Sequence, residues 1–483
     1  MFPIHISIDR FWTLLISGGY LLTMVLIPWV IIMKKRHPVS TVAWIMAIII
    51  LPYLGALLFL VFGVNRVERR TARKLNANLT MQRLLPGVTA YQLISGEQLT
   101  VQQQRLMKLA NRLSDTLPTQ GNQIEILPDT NRTLALIEKA IETAQNSLHL
   151  EYYIWRPDKT GTRLRDLLIA KAKAGVKVRF LYDGIGSILL RKRFLNSMRD
   201  AGIQVAAFLP GASFRERWSV NLRNHRKIVI ADGSVGFTGG MNIGDEYLGL
   251  NRTIGYWRDT HLRMEGPSVL QLQQVFAEDW YYATGEELTH PELYPPPQVS
   301  GNVAAQVVVG GPDQSESLFH MLMFAAINEA QHRITIETSY FVPPDSLLTA
   351  LVAAALRGVQ VRLMLAGKAT YFWTVLAGRS YYDTLLKAGV EIHEYTRGLL
   401  HSKTMTVDGN WSMVGTPNLD ARSLWLNFEN AVVTYDSRLS TLLEEHYQRD
   451  LKDAVKIDYA EWQKRGLRHK LAENTSRLFS PVL

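Results

Sequence analysis

His225-Arg226-Lys227-Ile228-Val229-Ile230-Ala231-Asp232, followed by Gly239 and Asn242, recurs further along the chain as His401-Ser402-Lys403-Thr404-Met405-Thr406-Val407-Asp408, followed by Gly415 and Asn418. The spacing is the same in both copies, His-x-Lys-x4-Asp and then x6-Gly-x-x-Asn. A single His-x-Lys pair carries no information, because such pairs arise by chance; five matched positions in two separate segments do. The residues between Lys and Asp are mostly apolar, which predicts a strand in each copy. Residues two apart on a strand share a face, so each histidine and its lysine project side by side.

The residue types point to phosphoryl chemistry without a metal or other cofactor. A neutral imidazole is a nucleophile and also shuttles protons near neutral pH. A protonated lysine supplies charge and hydrogen-bond donors but is no metal ligand, and the chain has no cysteine with which to build a metal site. Attack on a phosphodiester builds negative charge on its non-bridging oxygens. Lys227, Lys403, Asn242 and Asn418 are suited to stabilise that charge, usually the largest contribution to such catalysis. The candidate catalytic set is therefore His225, Lys227, Asp232, His401, Lys403 and Asp408, with Asn242 and Asn418 as phosphate-binding residues. Asp232 and Asp408 enter by motif; just past a strand, a turn carboxylate can equally cap backbone amides.

The wider text resembles the phospholipase D superfamily, and within it the bacterial cardiolipin synthases. Arg223-Asn224-His225-Arg226-Lys227 with Thr238-Gly239-Gly240-Met241-Asn242 is similar to their first motif. Leu400-His401-Ser402-Lys403-Thr404 with Gly415-Thr416-Pro417-Asn418-Leu419-Asp420-Ala421-Arg422-Ser423 is similar to their second. The likeness covers nearly the whole chain; Gly240 and Thr416 stand where many superfamily members have serine. The resemblance implies one shared active site with His225 as nucleophile and His401 as general acid and base. It implies a covalent phosphatidyl-histidine, phosphatidylglycerol as donor and acceptor, glycerol as leaving group and cardiolipin as product. It also offers Asp259 and Glu429 as carboxylates that fix the imidazole tautomers, a task such a nucleophile requires.

Outward from the motifs, two similar halves are legible. Each gives a strand (147–153; 334–340), a helix (162–174; 347–357), a second strand (176–183; 359–365), a helix ending in Ala-Gly, a short strand and then the motif strand. Strands alternating with amphipathic helices predict an α/β fold on mixed sheets. The expected architecture is two phospholipase D-like α/β halves with pseudo-twofold symmetry, residues 123–290 and 302–483, joined through the proline-rich run 291–297. Ahead of them stand a membrane hairpin over 1–66 and a helical linker over 67–122.

The hairpin rests on two apolar stretches, 11–33 and 41–64. Each is about 23 residues, roughly 35 Å as a helix, against a bilayer core of about 30 Å. The turn between them holds Lys34, Lys35 and Arg36. The flanks hold Arg10, Arg66, Arg69, Arg70, Arg73 and Lys74, so the positive-inside rule puts both flanks and the catalytic region in the cytoplasm, on a bacterial inner membrane crossed twice. A net charge of +10 fits an anionic partner. Membrane spans favour anionic lipid over nucleic acid, which sets aside a nuclease of the same superfamily. A phospholipid hydrolase stays open, because no motif reports whether water or a lipid alcohol accepts the phosphatidyl group. The runs 188–195 and 371–376 mix bulky apolar with basic or aromatic residues, as interfacial segments do.

Overall fold

Both motif segments are fully buried strands, Lys227–Ala231 and Lys403–Val407, in a computed structural model that describes residues 8–32, 38–63, 91–92, 99–208, 222–314, 316–368 and 371–478. The basic turn at 34–37, the basic flank at 66–74 and the C-terminal 479–483 lie outside the described residues, as does most of the stretch read as linker. The chain divides into two units, Met1–Arg69 with Gly211–Asn221, and Arg70–Pro210 with Leu222–Leu483.

The larger unit holds both halves. The first is built from β1 (Thr119–Asp129), β2 (Ser147–Tyr152), β3 (Lys177–Asp183), β4 (Gln204–Phe208), β5 (Arg223–Asn224), β6 (Lys227–Ala231), β7 (Val235–Gly239) and β8 (Tyr256–Glu265). Its sheet runs β4-β3-β2-β6-β7-β8-β1, parallel from β4 to β2 and antiparallel beyond. The second half comprises β9 (Val303–Gly310), β10 (Arg333–Thr338), β11 (Phe341–Val342), β12 (Gln360–Ala366), β13 (Glu391–Tyr395), β14 (Gly398–Leu400), β15 (Lys403–Val407), β16 (Trp411–Gly415), β17 (Leu419–Asp420), β18 (Asn427–Thr434) and β19 (Ala454–Lys456). Its sheet order, β13-β12-β10-β15-β16-β18-β9, repeats the first strand for strand, with β19 added beside β13. The parallel strands are joined by crossover helices, such as Lys159–Lys173 and Asp345–Leu356, whose apolar faces cover the sheets. The former starts where the Asp158 side chain accepts the Gly161 N–H at 3.0 Å. Burying Ile228, Val229 and Ile230 of β6 contributes roughly 1.5–3 kcal/mol per side chain. The helix Val101–Leu113, in the stretch read as linker, packs Leu106 and Ala110 into the core of the second half.

The motif aspartates belong to this scaffold. Asp232 and Asp408 follow their strands in the left-handed region, φ 51° and 50°, which Asp tolerates better than bulkier residues. Each carboxylate accepts three consecutive backbone N–H groups: Gln145, Asn146 and Ser147 on Asp232 (2.7–2.8 Å), and Gln331, His332 and Arg333 on Asp408 (2.8–2.9 Å). Asp408 also accepts from Gln102 Nε2 at 2.7 Å, which ties the helix Val101–Leu113 to the turn. Each aspartate thus pins the start of the central strand beside its motif strand. Bonds to a charged acceptor contribute roughly 1.5–3 kcal/mol each. Water reaches the exposed Gln145 and Asn146 amides, so Asp232→Ala is expected to lower folding stability by about 2–4 kcal/mol. The unfolding midpoint of the purified protein measures this; an unchanged midpoint with activity lost would return Asp232 to the chemistry.

The smaller unit begins with α1 (Ile8–Ile32), whose segment Trp12–Ile32 has a mean hydropathy of 2.1. The second apolar stretch departs from expectation. It is not one helix but α2 (Pro38–Ile50), a break at Leu51, α3 (Pro52–Leu58) and a wider π-type turn over Phe59–Gly63. Pro52 lacks an N–H, and its ring disfavours helical backbone in the preceding residue, which sits at φ −130°, ψ 72°. Among the described residues, one helix is therefore long and apolar enough to cross a membrane. Within this unit the Tyr53 hydroxyl donates to the Leu15 carbonyl (2.7 Å), and Phe59 lies edge-on to Trp29 and Trp44.

Candidate active site

Each motif histidine stands where its own half meets a strand of the other. β5 pairs with the start of β18, and His225 N–H donates to the Phe428 carbonyl at 2.9 Å. β14 pairs with the start of β8, and His401 N–H donates to the Arg258 carbonyl at 2.6 Å. The residues after those carbonyls are Glu429 and Asp259. Each histidine is consequently bound to the carboxylate of the opposite half: His225 Nδ1–H donates to Glu429 Oε2 at 2.8 Å, and His401 Nδ1–H to Asp259 Oδ2 at 2.8 Å. The family resemblance offers both carboxylates; the crossing appears only in three dimensions.

The electrostatics set the resting protonation state. Burial pulls His225 and His401 down to about 4, against the pull of Glu429 and Asp259, with Lys227 and Lys403 adding to the decrease. Burial raises the Glu429 carboxyl, but His225 and Lys227 beside it bring it down to about 2; His401 and Lys403 likewise lower Asp259. Each imidazole is therefore neutral, its proton on Nδ1 and its Nε2 lone pair available to a ligand. Each histidine also feels the lysine of the other half, Lys403 for His225 and Lys227 for His401. Burial lowers Lys227 to about 7 and Lys403 to about 8. Lys227 donates to the His225 carbonyl. Lys403 donates to that of His401 (2.5 Å) and to Ser339 Oγ (2.9 Å). Asn242 Oδ1 accepts the Ile154 N–H at 3.1 Å and Asn418 Oδ1 the Ser339 hydroxyl at 2.8 Å, which leaves each NH2 to serve a bound phosphate.

Both histidines and both asparagines line one cleft of about 440 Å³. Tyr153 meets the His225 ring edge-on at 4.9 Å, and Trp257 tilts over His401 at 5.2 Å. A groove of about 510 Å³ between β1 and the helix Ser437–Asp450 holds none of the motif residues. Asp232 and Asp408 are not among the cleft residues; they act on backbone, as described above. Among the described residues, no group of three or more His, Asp or Glu side chains is arranged to hold a metal ion.

Several buried groups around the site escape a motif reading. Glu151 and Glu337 occupy equivalent places on β2 and β10. Asn224 donates to Glu151 (2.5 Å) and Ser402 to Glu337 (2.8 Å). Burial raises Glu151, and the nearby Asp279 raises it further; burial pushes Glu337 up to about 7. Arg226 pairs with Asp279 within the first half, whereas Arg258 of the first half pairs with Asp450 of the second. The available signal was an acid following a branched apolar residue at the same place in each half, Leu150-Glu151 and Ile336-Glu337. The halves also differ at the residue after the motif glycine. A Cβ on Gly240 would lie 2.1 Å from Asp259 Oδ1, so no larger residue fits there without displacing that carboxylate. Its counterpart, Thr416, instead bonds the Asn430 carbonyl at 3.1 Å.

A family described as cardiolipin synthase, PLD-like domain, matches residues 137–280 and 323–451, one segment in each half. A family described as phospholipase D-nuclease N-terminal matches residues 21–63. A cardiolipin synthase from Geobacillus sp. (strain WCH70) is 40% identical, covering 98% of this chain and 96% of that protein. Cardiolipin synthase 2 from Bacillus cereus is 40% identical over 95% of this chain and 90% of its own length. Among solved structures, phosphatidylserine synthase from Haemophilus influenzae shares the fold, with a TM-score of 0.60 at 14% identity, covering 79% of this chain and all of that one. By identity sustained along nearly its full length, and by a family match in both halves, the chain belongs to the cardiolipin synthases of the phospholipase D superfamily.

Proposed function

We propose that this protein makes cardiolipin by moving a phosphatidyl group from one phosphatidylglycerol to another and releasing glycerol. The observation that carries the reading is the crossed pair: two neutral imidazoles in one cleft, each held by a carboxylate of the other half. His225 Nε2 attacks phosphorus and forms the P–N bond while the bond to glycerol breaks. The phosphodiester's negative charge favours protonation of His401, whose Nε2–H goes to the departing glycerol oxygen. His401, now neutral, takes the proton from a hydroxyl of the second phosphatidylglycerol. That oxygen attacks phosphorus, the P–N bond breaks and cardiolipin leaves. Lys227, Lys403, Asn242 and Asn418 balance the charge on the non-bridging oxygens. The repeated strand order supports a pseudo-twofold relation between halves at 123–290 and 302–483.

Anionic membrane lipid, not nucleic acid, is the partner. Ile188 and Leu189 in the loop after β3 and Tyr371, Phe372 and Trp373 after β12 are exposed at equivalent points of the two halves, and Tyr371 and Trp373 line the cleft. Leu190, Phe194 and Leu195 of the run 188–195 do not join them, because they are buried in the core, while Arg191, Lys192 and Arg193 are exposed. We read residues 1–66 as a two-span anchor on a bacterial inner membrane with both flanks cytoplasmic and 67–122 as its linker; a reporter fused after the C-terminus would read the opposite side if that is wrong. The deciding assay gives purified protein phosphatidylglycerol alone and measures cardiolipin, glycerol and phosphatidic acid. Cardiolipin and glycerol in equal amounts are expected; phosphatidic acid as the main product would make the protein a hydrolase.

A further inference from the structure

Three guanidinium groups line the cleft, of which Arg156 pairs with Glu246 at 3.4 Å and the other two have no part in the steps above. Arg223 and Arg422, one from each half, line it together with His225 and Asn418. Arg223 precedes His225 by two residues on an extended segment, so the two side chains share a face roughly 7 Å apart, two strand rises. Arg422 lies in the first turn of the short helix Ala421–Trp425, just beyond Asn418. Burial lowers the Arg422 guanidinium, and the facing positive charge of Arg223 lowers it further. Two nearby carboxylates moderate that repulsion, but both also hold backbone. Asp183 accepts from Ile185, Gly186 and Asn224 at 2.7–2.9 Å, and Asp420 accepts the Ser423 N–H at 2.6 Å.

The phosphate at the histidines already has two lysines and two asparagine amides. The second substrate brings another phosphodiester, separated from the first in the product by a single glycerol. We propose that Arg223 and Arg422 form a second phosphodiester site, which holds the acceptor lipid's own phosphate while its glycerol hydroxyl reaches the phosphorus on histidine. This rests on the transferase reading and extends it: the site selects a phosphate-bearing alcohol over water. Planar guanidinium forks suit that task because they grip phosphate oxygens in a fixed geometry.

The test supplies phosphatidylglycerol vesicles with ethanol as a competing acceptor and reads the ratio of cardiolipin to phosphatidylethanol. Arg223→Gln and Arg422→Gln each lower that ratio about tenfold or more, as loss of a charge-assisted bond does, and Arg422→Lys lowers it less. Damage to the donor half-reaction scales both products together and leaves the ratio alone. A ratio unchanged in both glutamine variants overturns the proposal. A second measurement uses the unaltered protein, offering glycerol 3-phosphate against glycerol as soluble acceptors. Preference for the phosphate-bearing alcohol is expected, and equal use of the two overturns the site even if the variants fail to fold. Failure of the unaltered protein to form either lipid product would remove the transferase reading itself, and this site with it.

Discussion

His225→Ala abolishes measurable cardiolipin formation, and His401→Ala reduces it by about 10²–10⁴-fold, the usual contribution of a positioned acid and base. The two losses differ because the histidines carry different steps. Without the His225 imidazole there is no covalent route, and water or alcohol must displace glycerol directly. Without His401 the P–N bond still forms slowly, but glycerol leaves without a proton and the acceptor hydroxyl keeps its own. His401→Ala protein given labelled phosphatidylglycerol therefore accumulates an adduct on His225, which mass spectrometry of the digested chain locates. The double variant is no slower than His225→Ala, because residues acting as a unit are not additive. An adduct on His401 in the His225→Ala protein would exchange the two roles. Substantial turnover by both single variants would end the shared-site account.

The second large effect belongs to the crossed carboxylates. Glu429→Gln places an amide against His225 Nδ1. An amide that donates there moves the imidazole proton to Nε2 and consumes the lone pair needed for attack. Loss of the equivalent carboxylate in a catalytic triad costs about 10⁴-fold for the same reason. Asp259→Asn acts on His401, so phosphatidyl adduct still forms on His225 while turnover falls; Glu429→Gln blocks the adduct. The crossed geometry thus predicts that the change in the second half silences the histidine of the first. If Glu429→Gln still forms the adduct at the normal rate, the pairing at 2.8 Å has no chemical role.

Acidity gives a companion signature. With His225 and His401 lowered to about 4, the unfolded chain binds more protons than the folded one between about 4 and the ordinary 6.5. Folding stability therefore rises with pH across that window and is lost as pH falls through it. Lys227 and Lys403, lowered to about 7 and 8, must stay charged to bind phosphate, so kcat/KM falls as pH rises beyond those values. Thermal unfolding from pH 4 to 7 and activity from pH 7 to 9 measure the two effects.

Much of this architecture was legible because duplication writes the same pattern twice. The α/β elements and the two halves follow from strand periodicity and motif spacing, and the family resemblance implied that His225, His401, Asn242 and Asn418 share one site. What stayed hidden depends on contacts between segments far apart in sequence. Asp259 and Glu429 could be named, but no spacing says that each serves the other half's histidine. Asp232 and Asp408 share the motif with the histidines, yet strand geometry ends at their left-handed turns and the carboxylates face backbone amides. Pro52 was in plain view; averaging hydropathy across the second stretch concealed what one missing N–H does to a helix. The acids Glu151 and Glu337 stand at equivalent places in two strands that are buried nearly throughout, a signal that a search for histidine motifs does not weigh.

The crossing of the two carboxylates also bears on how the enzyme is born. Translation delivers His225 long before Glu429, and His401 is made only after its partner Asp259 has waited through more than a quarter of the sequence. A nascent chain holding only the first half has an imidazole with no base behind it, so it cannot begin cutting the lipid of the membrane into which it is being inserted. Competence arrives all at once, when β18 brings Glu429 alongside β5 of the first half. A ribosome stalled before Glu429 leaves an inert fragment rather than a lipase.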